Sequence, residues 1–509
     1  MKHNSIRENK ADIVVIGSGA AGAVAAYKLA KKGLSVILLE KGKSLNDSDF
    51  SKISGFMGCE TAFQKKRGIT VASKENLYNR LTSLGMSGVN HKLIRTLLEY
   101  SAEAADILQE MGMHFICFAD SIEMEDREKY LDRIDWGPVH IIDEWGSERA
   151  ELVEKALRKV GVDLVLDCEA KKIIQEGGDK YSVYAICGGN ADCKIEASAV
   201  FLATGGFGGN KEMMHKFFNG APVDNLGSAA NTGDGIKMAM EVGAVMNNNV
   251  GLCCCELSGS NPKLKKYPFD EDYRPVNDNL SFALYGGLCV DSEGERFMNE
   301  GLLADIPLST SGIPALSVGK MYTIMDADYY EKCCEEGVYK CLGEPDWDFG
   351  SHLFIPVVDR AKEQFAEAEQ QGWGFRAETI RELSEKTGLN NLQKTISKYN
   401  DYCEKGKDEE FGKASHFLTP IAEGKGYYAF EYTCGYWCTI GGIKTDAQLR
   451  ALDANDKPIG GLYIGGTEMG SAFGTTYYDI PANGSGLSIA SGALAADKIS
   501  EYINANVIR

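Results

Sequence analysis

The chain has 509 residues, 44% of them apolar, which suits two or three domains and a large buried core. A formal charge of −19 leaves no basic surplus to meet phosphates, so a nucleic-acid partner is not expected and the charge reads as a solubility feature. Nothing approaches the roughly 18 apolar residues of a membrane span. The polar opening Met1 to Lys10 has no apolar export segment, and the expected compartment is cytoplasmic. The 15 cysteines include Cys253-Cys254-Cys255 and Cys333-Cys334, spacings that make neither a disulfide framework nor a metal-ligand set; reduced thiols and no bound metal are expected.

The first predicted element is the apolar run Ala11 to Ile16, a strand. Gly17-Ser18-Gly19-Ala20-Ala21-Gly22 follows, then an Ala-rich helix over Ala23 to Lys32, then a second strand from Ser35 to Leu39 that ends in Glu40. Each part has a task. Gly17 permits a tight turn, Gly19 lets the backbone approach a pyrophosphate, and Gly22 lets the helix pack close to the sheet. The helix N-terminus offers unpaired N–H groups to the phosphates. Glu40, 23 residues after Gly17, stands where a carboxylate can take both ribose hydroxyls. The pattern reads as a dinucleotide site, and by itself it does not separate FAD from NAD.

Further along, Val200 to Gly206 is a strand running into a small-residue turn. Pro262 to Pro275 is a polar, irregular connector. Ala361 to Glu404 is charged and helical in pattern, with Lys362 to Gln371 a solvated helix face. Gly461 to Gly466 is another strand and turn, and Gly484-Ser485-Gly486 opens a helix over Leu487 to Ile499. A second glycine-bearing helix N-terminus near the chain's end can face a flavin ring, where its dipole stabilises negative charge on the reduced ring.

These pieces resemble the fumarate reductase and succinate dehydrogenase flavoprotein family, in the broad sense that includes 3-ketosteroid dehydrogenases. The resemblance is carried by the opening fingerprint, Ala203-Thr204-Gly205-Gly206-Phe207, Asn231-Thr232-Gly233-Asp234-Gly235, Gly294 to Glu300, Thr439-Ile440-Gly441-Gly442 and Gly461-Leu462-Tyr463. It implies an α/β fold: a Rossmann-like FAD-binding domain over residues 1–250 and 424–509, with an inserted α+β cap, or substrate, domain over 251–423. It implies hydride transfer between flavin N5 and a carbon of a C–C or C=C bond next to a carbonyl. The expected FAD-binding set is Gly17, Gly19, Ala20, Ala21, Gly22, Glu40, Lys41, Ser54, Gly55, Ala170, Ala203, Thr204, Gly205, Asn231, Asp234, Glu468, Gly484, Gly486 and Leu487. Histidine is the family's usual covalent attachment residue, and none lies between Asn4 and Met86, so FAD is expected to be non-covalent.

The departures from the family speak to the substrate. Its dicarboxylate reductases clamp two carboxylates with His and Arg and donate a proton from an Arg four residues after the Glu of RFxNE. That position is Ala304 here, and the upstream relay residues fall at Leu280 and Ala283. The paired His become Trp437 and Cys438, and the Arg of the final loop becomes Tyr477. A carboxylate buried without cations costs several kcal/mol, so fumarate and succinate are not expected substrates. Tyr285, Tyr436, Trp437, Tyr477, Tyr478 and Cys254 fall near pocket positions and suit a neutral, bulky ligand.

The ketosteroid branch has a Tyr four residues before a Gly whose N–H is co-donor to the substrate carbonyl; Tyr478 and Ala482 match that spacing. The branch's second catalytic Tyr is again at the Ala304 position, so another group must move the proton: Tyr285, Tyr436, Cys438 or Asp305. The function expected is therefore oxidoreduction of an activated C=C bond in a neutral enone of 3-ketosteroid type, either as an ene reductase or as a dehydrogenase. An aryl acrylate reductase using Arg274 or Lys266, or a non-catalytic flavin electron-transfer subunit, are the alternatives. The electron partner and oligomeric state stay open.

Overall fold

A computed structural model describes residues 7–84, 88–117, 131–134, 136–177, 180–253, 255–259, 287–304, 312–342, 361–474 and 480–507. The chain splits into two compact units. The first comprises Met1–Phe217, Gly227–Cys253 and Cys438–Arg509, and the second Phe218–Leu226 and Cys254–Trp437. The chain visits the second unit at Phe218–Leu226, passes into it again at Cys254 and returns at Trp437/Cys438. The return falls there because the strand Tyr427–Tyr436 pairs with Val223–Asn225, Glu256–Gly259, Met321–Asp326 and Gly374–Ala377 and so belongs to the second unit's sheet.

The first unit is built on an eight-stranded sheet. Its main path runs Arg450–Leu452, Pro458–Ile464, Ala191–Leu202, Arg7–Ile16, Val36–Leu39, Asp163–Val165. The strand Arg7–Ile16 pairs in parallel on both sides, Ile16 lying opposite Leu39 and opposite Leu202. A strand enclosed on both faces needs a continuous apolar run, and Ile13, Val14 and Val15 are wholly buried. The helix Ala20–Lys31 presents alanines to the last helix, Asn483–Val507. A Cβ on Gly492 would overlap the backbone of Ala21, and the ammonium of Lys28 donates to the carbonyl of Ala493 at 3.1 Å. Small residues on both surfaces allow that approach.

Cys168 and Cys187 correct the expectation of reduced thiols, because a disulfide joins them. They stand directly opposite each other in the antiparallel pair Cys168–Gln175 and Tyr181–Cys187. Among the described residues no helix is long and apolar enough to cross a membrane.

In the second unit, alternate residues of Tyr427–Tyr436 feed opposite faces of the sheet, as a period of two requires. Tyr428, Phe430 and Tyr432 pack with Tyr330, Phe365 and Trp373, while Tyr427 and Ala429 pack with Tyr322, Leu383, Leu392 and Ile396. The charged stretch expected to be helical forms helices Ala361–Gln371, Ile380–Thr387 and Leu392–Lys405, interrupted by the strand Gly374–Ala377. On the first of these Lys362 is exposed while Phe365 and Ala368 are buried.

Arg296 and Glu300, from the RFxNE segment, anchor a buried ionic network in this unit. Arg296 donates to both carboxylate oxygens of Glu300, at 2.9 and 2.8 Å, and to both of Asp408, at 3.1 and 2.9 Å. Lys413 lies 3.6 Å from Glu300 and donates to the hydroxyl of Tyr399 at 3.0 Å. The side chains of Glu300, Asp408 and Lys413 are 0% exposed and that of Arg296 is 2% exposed. The network pins the 3-10 turn Glu300–Ala304, because Glu300 also accepts from the N–H of Cys289 at 3.3 Å.

Candidate functional site

The glycine turn is shaped by contacts that only glycine tolerates. Gly17 has φ +97° and donates its N–H to the carbonyl of Leu39 at 2.9 Å, and a Cβ on it would overlap the carbonyl of Ala203. A Cβ on Gly22 would overlap the carbonyl oxygen of Gly17. The helix Ala20–Lys31 begins at Gly19 with no side-chain cap and no acid in its first turn, while Lys28 and Lys31 occupy its last turn. Its first N–H groups are therefore left for an anion, at the positive end of the helix dipole. This donor set fits the diphosphate of a dinucleotide. Gly22→Ala must push the helix off the turn, an overpacking cost of about 1–3 kcal/mol. We expect FAD affinity of the apoprotein, read by flavin fluorescence quenching, to fall about 10–100-fold.

Glu40 closes the adjoining end. Its carboxylate accepts from the N–H of Ser18 at 3.0 Å, the hydroxyl of Ser18 at 2.6 Å and the N–H of Gly42 at 2.7 Å. Its backbone bridges the N–H of Cys168 and the carbonyl of Val165. The carboxylate is thus set under the turn, with acceptor capacity left for ribose hydroxyls. The strand Cys168–Gln175 carries Ala170 just beyond. Lys41 donates to Asp234 at 2.7 Å and to the hydroxyl of Thr232 at 3.3 Å. Burial works against ionisation of Asp234, but the bond and charge of Lys41 and the hydroxyl of Thr232 outweigh it and hold the carboxyl below its ordinary value.

The turn after Leu202 joins the remaining expected residues. Ala203 donates its N–H to Ile16, and a Cβ on Gly205 would crowd the amide of Asn231. That amide donates to Asp49 at 2.7 Å. Asp49 keeps partial solvent contact, yet its enclosure and then the charge of Glu40 push its carboxyl up. Thr204 donates its N–H and hydroxyl to Glu468, at 2.5 and 3.1 Å, and accepts from the N–H of Gly235 at 2.9 Å.

Ser54, whose carbonyl accepts from the N–H of Ile142 at 3.1 Å, leads into Gly55, which meets the start of the last helix. Met57 donates to the carbonyl of Ala482 at 2.9 Å, Ser485 donates to the carbonyl of Gly55 at 2.6 Å, and a Cβ on Gly486 would overlap Met57. Leu487 is buried beside them and Gly484 opens the same turn. Ala482 has φ +60°, a left-handed conformation that costs an L-residue about 1–2 kcal/mol. Segment 49–54 is held from beneath by Arg149. Its fully buried guanidinium donates to the carbonyls of Phe50 at 2.8 Å, Ile53 at 2.7 Å and Glu144 at 3.0 and 2.6 Å. Burial pushes this group down to about 10.

All the expected FAD-binding residues, from Gly17 to Leu487, belong to the first unit. Ser18, Asp49, Arg149 and Thr232 join them without having been foreseen. Ser18 and Thr232 lie inside motifs that had been recognised, whereas Asp49 and Arg149 carry no local signal. Of the catalytic and substrate candidates, Tyr436 ends the strand Tyr427–Tyr436 in the second unit. Burial, then the charge of Asp224, raises its phenol above the ordinary value. Trp437 follows it, and the half-buried Cys438 opens the strand Cys438–Ile440 of the first unit, opposite Cys253. Cys254, Arg274, Lys266, Leu280, Ala283, Tyr285, Asp305, Tyr477 and Tyr478 lie outside the described residues.

Comparison with known proteins agrees with this geometry. The family profile described as FAD binding domain matches residues 12–484. Vinyl phenol reductase of Lactiplantibacillus plantarum is 26% identical over 98% of this chain and 97% of its own length. Among solved structures, the open conformation of a flavocytochrome c3 fumarate reductase shares the fold with a TM-score of 0.69 at 22% identity, over 97% of this chain and 79% of that one. The 3-ketosteroid Δ1-dehydrogenase of Sterolibacterium denitrificans does so with a TM-score of 0.67 at 19% identity, over 97% of this chain and 100% of that one. The chain belongs to the FAD-binding-domain family and is an FAD-dependent oxidoreductase of the fumarate reductase type, acting on C=C or CH–CH bonds.

Proposed function

We propose that this enzyme exchanges hydride with an alkene conjugated to a neutral oxygen, an enone carbonyl or a phenol, and that it holds FAD without a covalent bond. The observation that carries the proposal is the replacement of the family's carboxylate clamp by Ala304, Trp437, Cys438 and Tyr477. No cation is left at those positions to offset a buried carboxylate, a cost of several kcal/mol. FAD, once bound and reduced by an electron donor, would supply the hydride at N5. The chain's own groups orient the alkene, exclude water and manage two protons. In a 3-ketosteroid enone, hydride enters the β-carbon, and Tyr478 with the N–H of Ala482 stabilises the negative charge that develops on the carbonyl oxygen. A Tyr or Cys side chain then protonates the α-carbon. The vinyl phenol reductase resemblance along nearly the full chain supports a smaller aromatic alkene as the second substrate. There the phenol loses its proton as the terminal carbon gains one, hydride enters the benzylic carbon, and the phenol is reprotonated.

The test is anaerobic reduction of the enzyme followed by mixing with 4-vinylphenol, a 3-ketosteroid enone, an aryl acrylate or fumarate, with flavin reoxidation as the readout. One of the neutral substrates should reoxidise the flavin at least about 100-fold faster than fumarate, the rate equivalent of a few kcal/mol. Comparable rates with fumarate would overturn the neutral-substrate reading. No reoxidation by any alkene would favour a non-catalytic electron-transfer role. An aryl acrylate that alone reoxidised the flavin would move the assignment to enoate reduction.

A further inference from the structure

Glu468 is 0% exposed. Among the described residues its carboxyl bonds only to the N–H and hydroxyl of Thr204. Glycines wall it in: a Cβ on Gly235 would overlap its Oε2, and one on Gly442 would overlap its backbone carbonyl. The side chain has no room to swing toward solvent. The charge that acts on it is that of Asp234, whose partner Lys41 is already engaged with Asp234 and Thr232. From the strand Cys438–Ile440 the titratable group is Cys438. The helix Ala20–Lys31 brings Ala21 and the last helix brings Ser491, neither of which titrates.

An ionised carboxylate in such a place lacks the cation that buried charges need. We propose that Glu468 is the proton-linked residue of the flavin site: it is a neutral carboxylic acid while the dinucleotide is bound, and FAD binding to the ionised apoprotein takes up one proton. A bound dinucleotide would add negative charge to the same unit, so the bound state would hold the proton more tightly than the free state does. Burial, partly offset by the two bonds from Thr204, already pushes Glu468 up to about 8 before FAD binds. The sign of the linkage follows. Affinity is complete below the free-state value, and it falls as pH rises above that value until the bound-state value is passed.

The first measurement is the Kd of apoprotein for FAD by fluorescence quenching between about pH 6 and pH 9.5. Kd should be flat below about pH 7.5 and rise about tenfold per pH unit above about pH 8. Calorimetry near pH 9, in buffers of different ionisation heat, should show uptake approaching one proton per FAD. Infrared spectra of the holoprotein should contain the carbonyl stretch of a buried protonated carboxyl. Glu468→Gln keeps the neutral shape, and it should flatten the pH profile and remove that band. Asp49→Asn should leave both in place. A slope that survives Glu468→Gln overturns the proposal, as does a slope that vanishes with Asp49→Asn. If Glu468→Gln fails to fold, wild-type protein decides: a flat profile with no proton uptake overturns the proposal equally.

Discussion

Glu300→Ala should destabilise the second unit by about 3–5 kcal/mol, the cost of stranding a buried charge by removing its partner. The substitution removes two bonds from Arg296 and the carboxylate facing Lys413, which leaves Arg296 with Asp408 and the more distant Glu410 and takes from the buried Lys413 its carboxylate neighbour Glu300. It also frees the N–H of Cys289 in the unit's sheet. Urea unfolding followed by tyrosine and tryptophan fluorescence should show an early transition, with the flavin signal of the first unit lost later. The pH dependence has a defined sign. Burial opposes ionisation of Asp408, but Arg296 and the N–H groups of Lys413 and Glu410 hold its carboxyl well below the ordinary range. Its contribution is therefore complete above about pH 4 and is lost progressively as the pH falls below that. Wild-type stability in Glu300→Ala would mean that the network is a passenger in the core.

Tyr478→Phe should slow turnover about 10²–10³-fold while FAD stays bound, the usual cost of one preorganised donor to a developing oxyanion. Residue 478 stands four positions before Ala482, whose carbonyl is tied to the N–H of Met57 and whose φ is +60°. The loop is thus anchored at its helix end, on the strand that carries Gly55. The 3-ketosteroid resemblance selects Tyr478 by its spacing to Ala482, so Tyr477→Phe should have a small effect. Single-turnover flavin reoxidation with the preferred alkene separates the outcomes. Loss in Tyr477→Phe alone reverses the assignment. Full activity in both variants removes the ketosteroid analogy at its main residue.

The strand, turn, helix and acid of the flavin site were legible because each task is local. The apolar run of a strand buried on both faces, the glycine positions and the terminal Glu40 all fall within 30 residues of one another. What escaped was set by distant partners. Tyr427–Tyr436 is assigned to the second unit only by its pairing with Val223–Asn225 and Met321–Asp326. Cys168 and Cys187 are 19 positions apart, and only the register of their two strands brings them face to face. Gly372, at φ +81°, ends one helix and lets Gly374–Ala377 join the sheet edge, where the charged composition suggested continuous helix. Asp49 and Arg149 look like ordinary surface residues in the sequence. Their roles arise from the packing of segment 49–54 against Asn231 and Glu144.

The bond between Lys28 and Ala493 spans 465 positions, and it sets an order of events during synthesis. The fingerprint helix emerges from the ribosome early, but its alanine face has nothing to pack against until the last helix follows. At about 5–20 residues per second that wait lasts roughly half a minute to a minute and a half. The second unit is nearly continuous, from Cys254 to Trp437, and its two apolar clusters are supplied from within it. It can therefore reach its native packing while the first unit is still waiting. Nascent chains halted before Asn483 should then contain a protease-resistant second unit and no yellow colour, because flavin capture is a late event in the life of the polypeptide.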